Sequence, residues 1–237
     1  MKSLGFNMIR KHIKVEPARW YMHCDREGIL VWQDLPSPNL PSGHEDFAKK
    51  TFQEESVRII EAFRNHPSII QWIVFNEGWG QFDTERMTQI VQGVVGQTLV
   101  CCASGWNDAD RNRAAVCGEY GGITLKVQGH VWPGGDFQYT TVETGGDFTV
   151  LFNRLADKIK DYYSYGLNAA VYTQLSDVEI ERNGILTYDR RVLKPYSATG
   201  ELKAKIEECI NMPRSGVKVQ TIISTSQEHK YKWRYTT

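Results

Sequence analysis

No charge of one sign dominates this chain. Its 28 lysines and arginines are matched by 28 aspartates and glutamates over 237 residues. Neither a basic field for nucleic acid nor an acidic disordered tail is therefore expected. No apolar run reaches the roughly 18 residues of a membrane span, and the opening MKSLGFNMIRKHIK turns basic where a signal peptide would turn apolar. The five cysteines include no C-x-x-C pair. Cys101 and Cys102 are adjacent in an expected strand and should point to opposite faces, so free, mostly buried thiols are expected rather than a disulfide framework. His12, His23 and Cys24 share no ligand spacing, and no metal is expected. No glycine-rich phosphate loop follows any expected strand, which argues against a nucleotide; no cofactor is expected.

What is present is concentrated in residues 66–80, HPSIIQWIVFNEGWG. An apolar run from Ile69 to Phe75, long enough for a buried strand, stops at Asn76-Glu77-Gly78. Forty-two residues after Glu77 the pattern recurs, as Ala114-Ala115-Val116-Cys117 runs into Gly118-Glu119-Tyr120-Gly121-Gly122. Two glutamates at the ends of two buried strands suit glycosidic bond cleavage. One carboxylic acid protonates the leaving oxygen, and the other carboxylate attacks or stabilises the anomeric carbon. Trp72 and Phe75 precede Glu77 and Trp79 follows it, aromatic neighbours that could bury it. Gly121-Gly122 would let a sugar approach the backbone closely.

Strand and helix signals alternate along most of the chain. Strands are expected over 6–10, 29–33, 69–75, 98–103, 114–118 and 168–174, and helices over 17–27, 45–65, 87–95 and 151–162. Short apolar strands alternating with helices predict a parallel α/β sheet. An open doubly wound sheet and a closed barrel both fit that rhythm. The acidic and aromatic residues gather after strand C-termini: Asp34, Glu77, Trp106, Glu119, and Gln174 through Glu179. Groups from the ends of several strands favour a TIM-type (β/α)8 barrel. Arg10 at a strand end could pair with a nucleophilic carboxylate or serve a structural ion pair. Asp34 ends a strand and reads equally as a residue that orients a base or sugar or as one with no such role. Trp106 and Trp132 read equally as sugar platforms or packed loop aromatics. Asp177 and Glu179 read as contacts to substrate hydroxyls or as salt-bridged scaffolding. After about Asn211 a linker, Met212 to Gly216, leads into residues 217–237, expected to open a further domain.

Six blocks in order carry a family resemblance: GFNMIRKHIKVEP (5–17), CDREGILVWQDLPS (24–37), NEGWGQFDT (76–84), SGWND (104–108), GEYGG (118–122) and YTQLSDVEIERNGILTYDR (172–190). With them the chain resembles the catalytic barrel of glycoside hydrolase family 2, the β-galactosidase and β-glucuronidase group. The resemblance implies a retaining mechanism with Glu77 as general acid/base and Glu119 as nucleophile. It implies that Asn76 hydrogen-bonds the sugar 2-hydroxyl and that Arg10 and His12 line the floor of the site. Trp79, Tyr120 and Gln174 fall in matching blocks and join the expected carbohydrate-binding residues.

The chain also departs from the family pattern. The resemblance begins at what would be the second barrel strand, and the β-sandwich domains that family members carry upstream are expected in a longer parent. Between the strands of Glu77 and Glu119 the family places two more, whereas only 98–103 reads as one here. At about 30 residues per βα unit, three units need about 90 residues. The expected architecture over residues 1–210 is therefore an incomplete barrel lacking its first and sixth strands. The functional expectation is hydrolysis of terminal β-glycosidic bonds, against the alternative of a non-catalytic or carbohydrate-binding remnant.

Overall fold

The computed structural model describes residues 1–37, 45–78, 80–104, 115–135, 137, 139–195 and 199–212. Trp79, Trp106 and the segment 213–237 lie outside the described residues. Eight strands and five α-helices alternate along them in an α/β arrangement that resembles a TIM barrel.

The first half is regular. Strands β1 (Met8–Lys11), β2 (Leu30–Asp34), β3 (Ile69–Asn76) and β4 (Leu99–Ser104) form one parallel sheet in sequence order. They are joined by helices α1 (Ala18–Glu27), α2 (Glu45–Phe63) and α3 (Thr84–Val95). Gly28 ends α1 in the left-handed region, its N–H donating to the Cys24 carbonyl, a conformation that is cheapest for glycine. Trp72, Val74 and Phe75 of β3 pack with Phe52 and Ile60 of α2 and Met87 and Val91 of α3. Each such side chain contributes roughly 1.5–3 kcal/mol on burial. Trp72 and Phe75 therefore belong to the helix-facing core rather than to a wall around Glu77.

The second half is looser. Strand β5 (Ala115–Gly121) pairs in parallel with β8 (Leu167–Thr173), with register shifts at Ala115/Val116 and Cys117/Tyr120. Between them lie the two-residue strands β6 (Ile123–Thr124) and β7 (Thr140–Thr141) and helix α4 (Gly145–Tyr163). Thr144 caps α4, its Oγ1 accepting the Asp147 N–H at 3.1 Å, which satisfies one of the helix's free donors. Helix α5 (Thr199–Ile210) puts Leu202 and Ile206 into a core with Leu4, Phe148, Phe152 and Tyr172.

Among the described residues no strand ladder joins β4 to β5 or β8 to β1. The two sheets nonetheless share an interior. Trp32, Ile73 and Cys101 cluster there with Met8, Ile70, Ala169 and Val171, drawing side chains from β1, β2, β3, β4 and β8. No helix among the described residues is long and apolar enough to cross a membrane.

Candidate active site

The site is organised by Arg10, the third residue of β1. Its register partner in β2 is Trp32, so Asp34, two residues further along β2, projects to the same face at the strand's end. The guanidinium presents five N–H donors in a rigid fork, and five contacts occupy them. Nε donates to Asp34 Oδ1 at 3.0 Å and Nη2 to Asp34 Oδ2 at 2.8 Å. Nη2 also donates to Asn76 Oδ1 at 2.7 Å. Nη1 donates to the Gly118 carbonyl at 3.1 Å and to Glu119 Oε1 at 3.0 Å.

One side chain thus ties the C-terminal ends of β1, β2 and β3 to β5. The Arg10 and Asp34 side chains are 2% and 1% exposed. Burial works against the guanidinium's charge, but the Asp34 carboxylate outweighs it by charge and hydrogen bonding, with Glu119 adding, and the Arg10 pKa lies above its ordinary value.

Glu119 itself is 37% exposed and also faces His12, whose Nε2 lies 3.6 Å from Oε1. Gly118 is needed beside it: a Cβ there would lie 2.4 Å from Ser104 Oγ. Strands β4 and β5 therefore touch at the rim although no ladder joins them. The Ser104 carbonyl also accepts the Glu77 N–H at 2.6 Å. Glu77, the residue after β3, is half-buried and takes φ 51, a left-handed conformation uncommon for a non-glycine residue. Asn76 and Glu119 accept from the two Nη atoms of one guanidinium, so the strand ends bearing the two glutamates share one rim.

The other expected site residues divide. Tyr120 points the opposite way from Glu119, as strand alternation requires. It packs at 5.4 Å against Tyr172 on the helix side, where burial drives its phenol pKa well up. Gln174, just past β8, donates to Asn183 Oδ1 at 2.7 Å and Glu181 Oε2 at 3.2 Å. Asp177 is buried, 2.6 Å from Lys194 Nζ, and accepts the Gly184 N–H at 2.8 Å, contacts that suit the scaffolding reading. Burial pushes Asp177 up and Lys194 down, each opposed by the other's charge. Glu179 is exposed at a turn with φ 52. Trp132 is exposed, edge-on to Tyr188 at 5.5 Å, and its carbonyl accepts from Arg182.

The structure therefore brings together Arg10, His12, Asp34, Asn76 and Glu119, with Glu77 adjoining Asn76. Ser104 and Gly118 are further members of this rim. Both stand in the blocks quoted above, and the first glycine of GEYGG is the one signal for the close approach. Among the described residues no group of three or more His, Cys, Asp or Glu is placed to hold a metal ion.

Comparison with known proteins bears on this geometry. The family described as "Glycosyl hydrolases family 2, TIM barrel domain" matches residues 1–122. A beta-galactosidase from Halalkalibacterium halodurans is 30% identical over 94 residues, 33% of this chain and 9% of that protein. A beta-glucuronidase from Bacteroides fragilis is 29% identical over 84 residues, 32% of this chain and 12% of that one. Among solved structures, the β-glucuronidase of Ruminococcus gnavus is similar with a TM-score of 0.64 at 16% identity, covering 87% of this chain and 44% of that one. A GH2 β-galacturonidase from Eisenbergiella tayi gives 0.64 at 16%, covering 87% and 46%. The β-D-mannosidase of Dictyoglomus thermophilum gives 0.59 at 17%, covering 88% and 35%. At these identities the likeness is one of fold. The chain spans less than half the length of these structures.

Proposed function

The chain belongs to glycosyl hydrolase family 2, and from that premise we propose that it carries the catalytic rim of a retaining β-glycosidase acting on terminal β-O-glycosidic bonds. Glu119 is the nucleophile: its carboxylate attacks the anomeric carbon while Glu77 donates a proton to the departing glycosidic oxygen. A water then enters, Glu77 takes its proton, and the covalent bond to Glu119 breaks to release the sugar. Asn76 gives its amide oxygen to Arg10, which leaves its NH2 to donate to the sugar 2-hydroxyl. His12 lines the floor, and Trp79, Trp106, Trp132, Gln174 and Glu179 contribute to the carbohydrate-binding surface. Asp34 and Tyr120 are supporting residues in this reading.

The observation that carries the proposal is the double engagement of Arg10, Nη1 on Glu119 and Nη2 on Asn76. A lone surface glutamate would have no reason to be registered against the residue preceding a second one. The names of similar proteins support a substrate of the β-galactoside or β-glucuronide type. We read the two breaks in the sheet, β4 to β5 and β8 to β1, as the places of the family barrel's first and sixth strands.

A second reading, a carbohydrate-binding or non-catalytic remnant, is favoured by one observation: Val116 of β5 is 41% exposed, as though its cover were missing. One experiment separates the two. A mechanism-based fluorosugar should label Glu119, and Glu119→Gln should abolish the label. Glu77→Gln should slow the attack step for substrates with poor leaving groups by about 10²–10⁴ while sparing that step for activated ones, which need little acid assistance, and should slow release from Glu119 for both. Clean binding without any label or turnover would favour the remnant.

A further inference from the structure

We propose that Asp34 is a positioning residue for Glu119, acting through Arg10 rather than by touching the sugar. The aim of the Arg10 fork is set from its far edge. Asp34 takes the Nε and Nη2 donors side-on at 3.0 and 2.8 Å, and this bidentate grip fixes the plane of the guanidinium. With that edge held, the remaining Nη1 can point only toward β5, where it meets Gly118 and Glu119.

Asp34 is buried out of a substrate's reach, with three of its about four acceptor sites filled. Its Oδ2 also accepts the Ile13 N–H at 3.2 Å, and its side chain is 1% exposed. Ile13 lies two residues past β1 and has φ 50, so Asp34 additionally holds the turn that presents His12 to Glu119. Lysine at position 10 could not do this, since an ammonium offers one point of charge rather than a fork with two working edges. The groups facing the guanidinium are Asp34 from β2, Asn76 from β3, Gly118 and Glu119 from β5, and the Cys101 thiol of β4. Of these only Asp34 both grips two donors and is itself fixed from behind.

The clamp matters because β4 and β5 are not joined by a ladder. In a fully laddered barrel, hydrogen bonds to both neighbouring strands help to set where a strand-end residue stands. Here that task falls on side chains: Arg10 reaching across, and Gly118 seated on Ser104. Naming Glu119 a nucleophile rests on the proposed function; the clamp itself rests on the hydrogen bonds.

Two readouts test the proposal on the full chain. With 15N-arginine labelling, and the Arg10 signal assigned by its loss in Arg10→Lys, the wild type should show separate, non-exchanging Nη1 and Nη2 resonances. In Asp34→Asn these should merge, with retention of fold checked in the amide spectrum. Fluorosugar labelling of Glu119 in Asp34→Asn should fall at least about tenfold in maximal rate, since an error of about 1 Å costs on the order of a hundredfold. The half-saturating concentration should stay within about twofold, because Asp34 makes no sugar contact. A freely rotating Arg10 guanidinium in the wild type would overturn the proposal even if no variant folds. Separate Nη signals persisting in Asp34→Asn, or an unchanged labelling rate once they have merged, would overturn it as well. Absence of any label on wild-type Glu119 would instead remove the proposed function, leaving the guanidinium signals to decide the clamp.

Discussion

The sheet β1–β4 and the pair β5–β8 carry one glutamate each, yet they are built differently. In β3 seven of eight residues are buried, under two amphipathic helices. In β5 only Gly121 is buried, and its ladder to β8 slips twice. Glu77, the proposed general acid, thus follows a strand held from both faces, whereas Glu119, the proposed nucleophile, stands on one held chiefly at its end. That end is where the polar contacts converge. The lesson is that a functional rim can be fixed by a few side-chain bonds where the sheet beneath it is thinly supported, and that those bonds then become indispensable.

The sharpest way to break the comparison is to truncate one apolar side chain to alanine in each half. Phe75→Ala should cost about 3–5 kcal/mol by opening a cavity in the helix-packed core. Val116→Ala should stay within about 0.5 kcal/mol, because it is 41% exposed. Chemical denaturation of both variants would show it, and equal losses would mean that β5 is as well covered as β3.

Hydrogen exchange extends the test to the backbone. Amides of β3 should exchange slowest, and those of Val116 and Cys117 faster by on the order of a hundredfold, through local opening of the β5 edge. Uniform protection across both sheets would remove the distinction.

A smaller effect probes the contact that joins the halves. Gly118→Ala would place a methyl 2.4 Å from Ser104 Oγ but 3.7 Å from Ser104 Cβ. It should cost about 1–3 kcal/mol as overpacking, and Ser104→Ala in the same molecule should recover most of that loss. Additive losses would show that the two strands do not meet there.

The smallest effect concerns the loops beyond β5 and β8, which His130 and Asp189 connect at 2.7 Å. The Thr187 hydroxyl, then His130 and the Arg191 N–H, hold the Asp189 carboxyl down at about 2, below the roughly 3.9 of an unfolded aspartate. A depressed folded pKa stabilises above the unfolded value and is lost as pH falls through the folded one. Wild type should therefore melt slightly above Asp189→Asn at pH values over about 4, the two converging as pH drops toward about 2. A difference that grows on acidification would contradict the assignment.

Much of this architecture is legible in the sequence alone. Apolar runs ending in Asn-Glu and Gly-Glu mark both rim strands, and Gly28 marks the end of α1. Pairing of Arg10 with a strand-end carboxylate is an expectation of the sequence, but the rest of its network is not legible there, because Asp34, Asn76 and Gly118 lie 24, 66 and 108 residues away. Only the folded sheet brings them to one point. Helix α5 is not among the expected helices although its sequence, TGELKAKIEECI, places Leu202, Ile206, Cys209 and Ile210 at the i, i+4, i+7 and i+8 spacing of one apolar face. Strands β6 and β7 are two residues each, below any pattern length. Tyr120 shares a block with Glu119 and so reads as a substrate residue, although neighbours on a strand face opposite ways. Asp177 offers both a binding and a scaffolding reading, and the buried ion pair with Lys194 that suits the second is not legible from sequence spacing.

The central claim is that Glu77 and Glu119 act on one glycosidic bond from the same rim, and it reduces to one distance. A crystal structure of the chain with a bound glycosidase inhibitor would measure the separation of the two carboxyl groups. The expected value is roughly 5–5.5 Å, with the anomeric carbon between them, as a retaining double displacement requires. Carboxyls at opposite ends of the sheet, or an inhibitor bound away from Arg10 and Glu119, would contradict it.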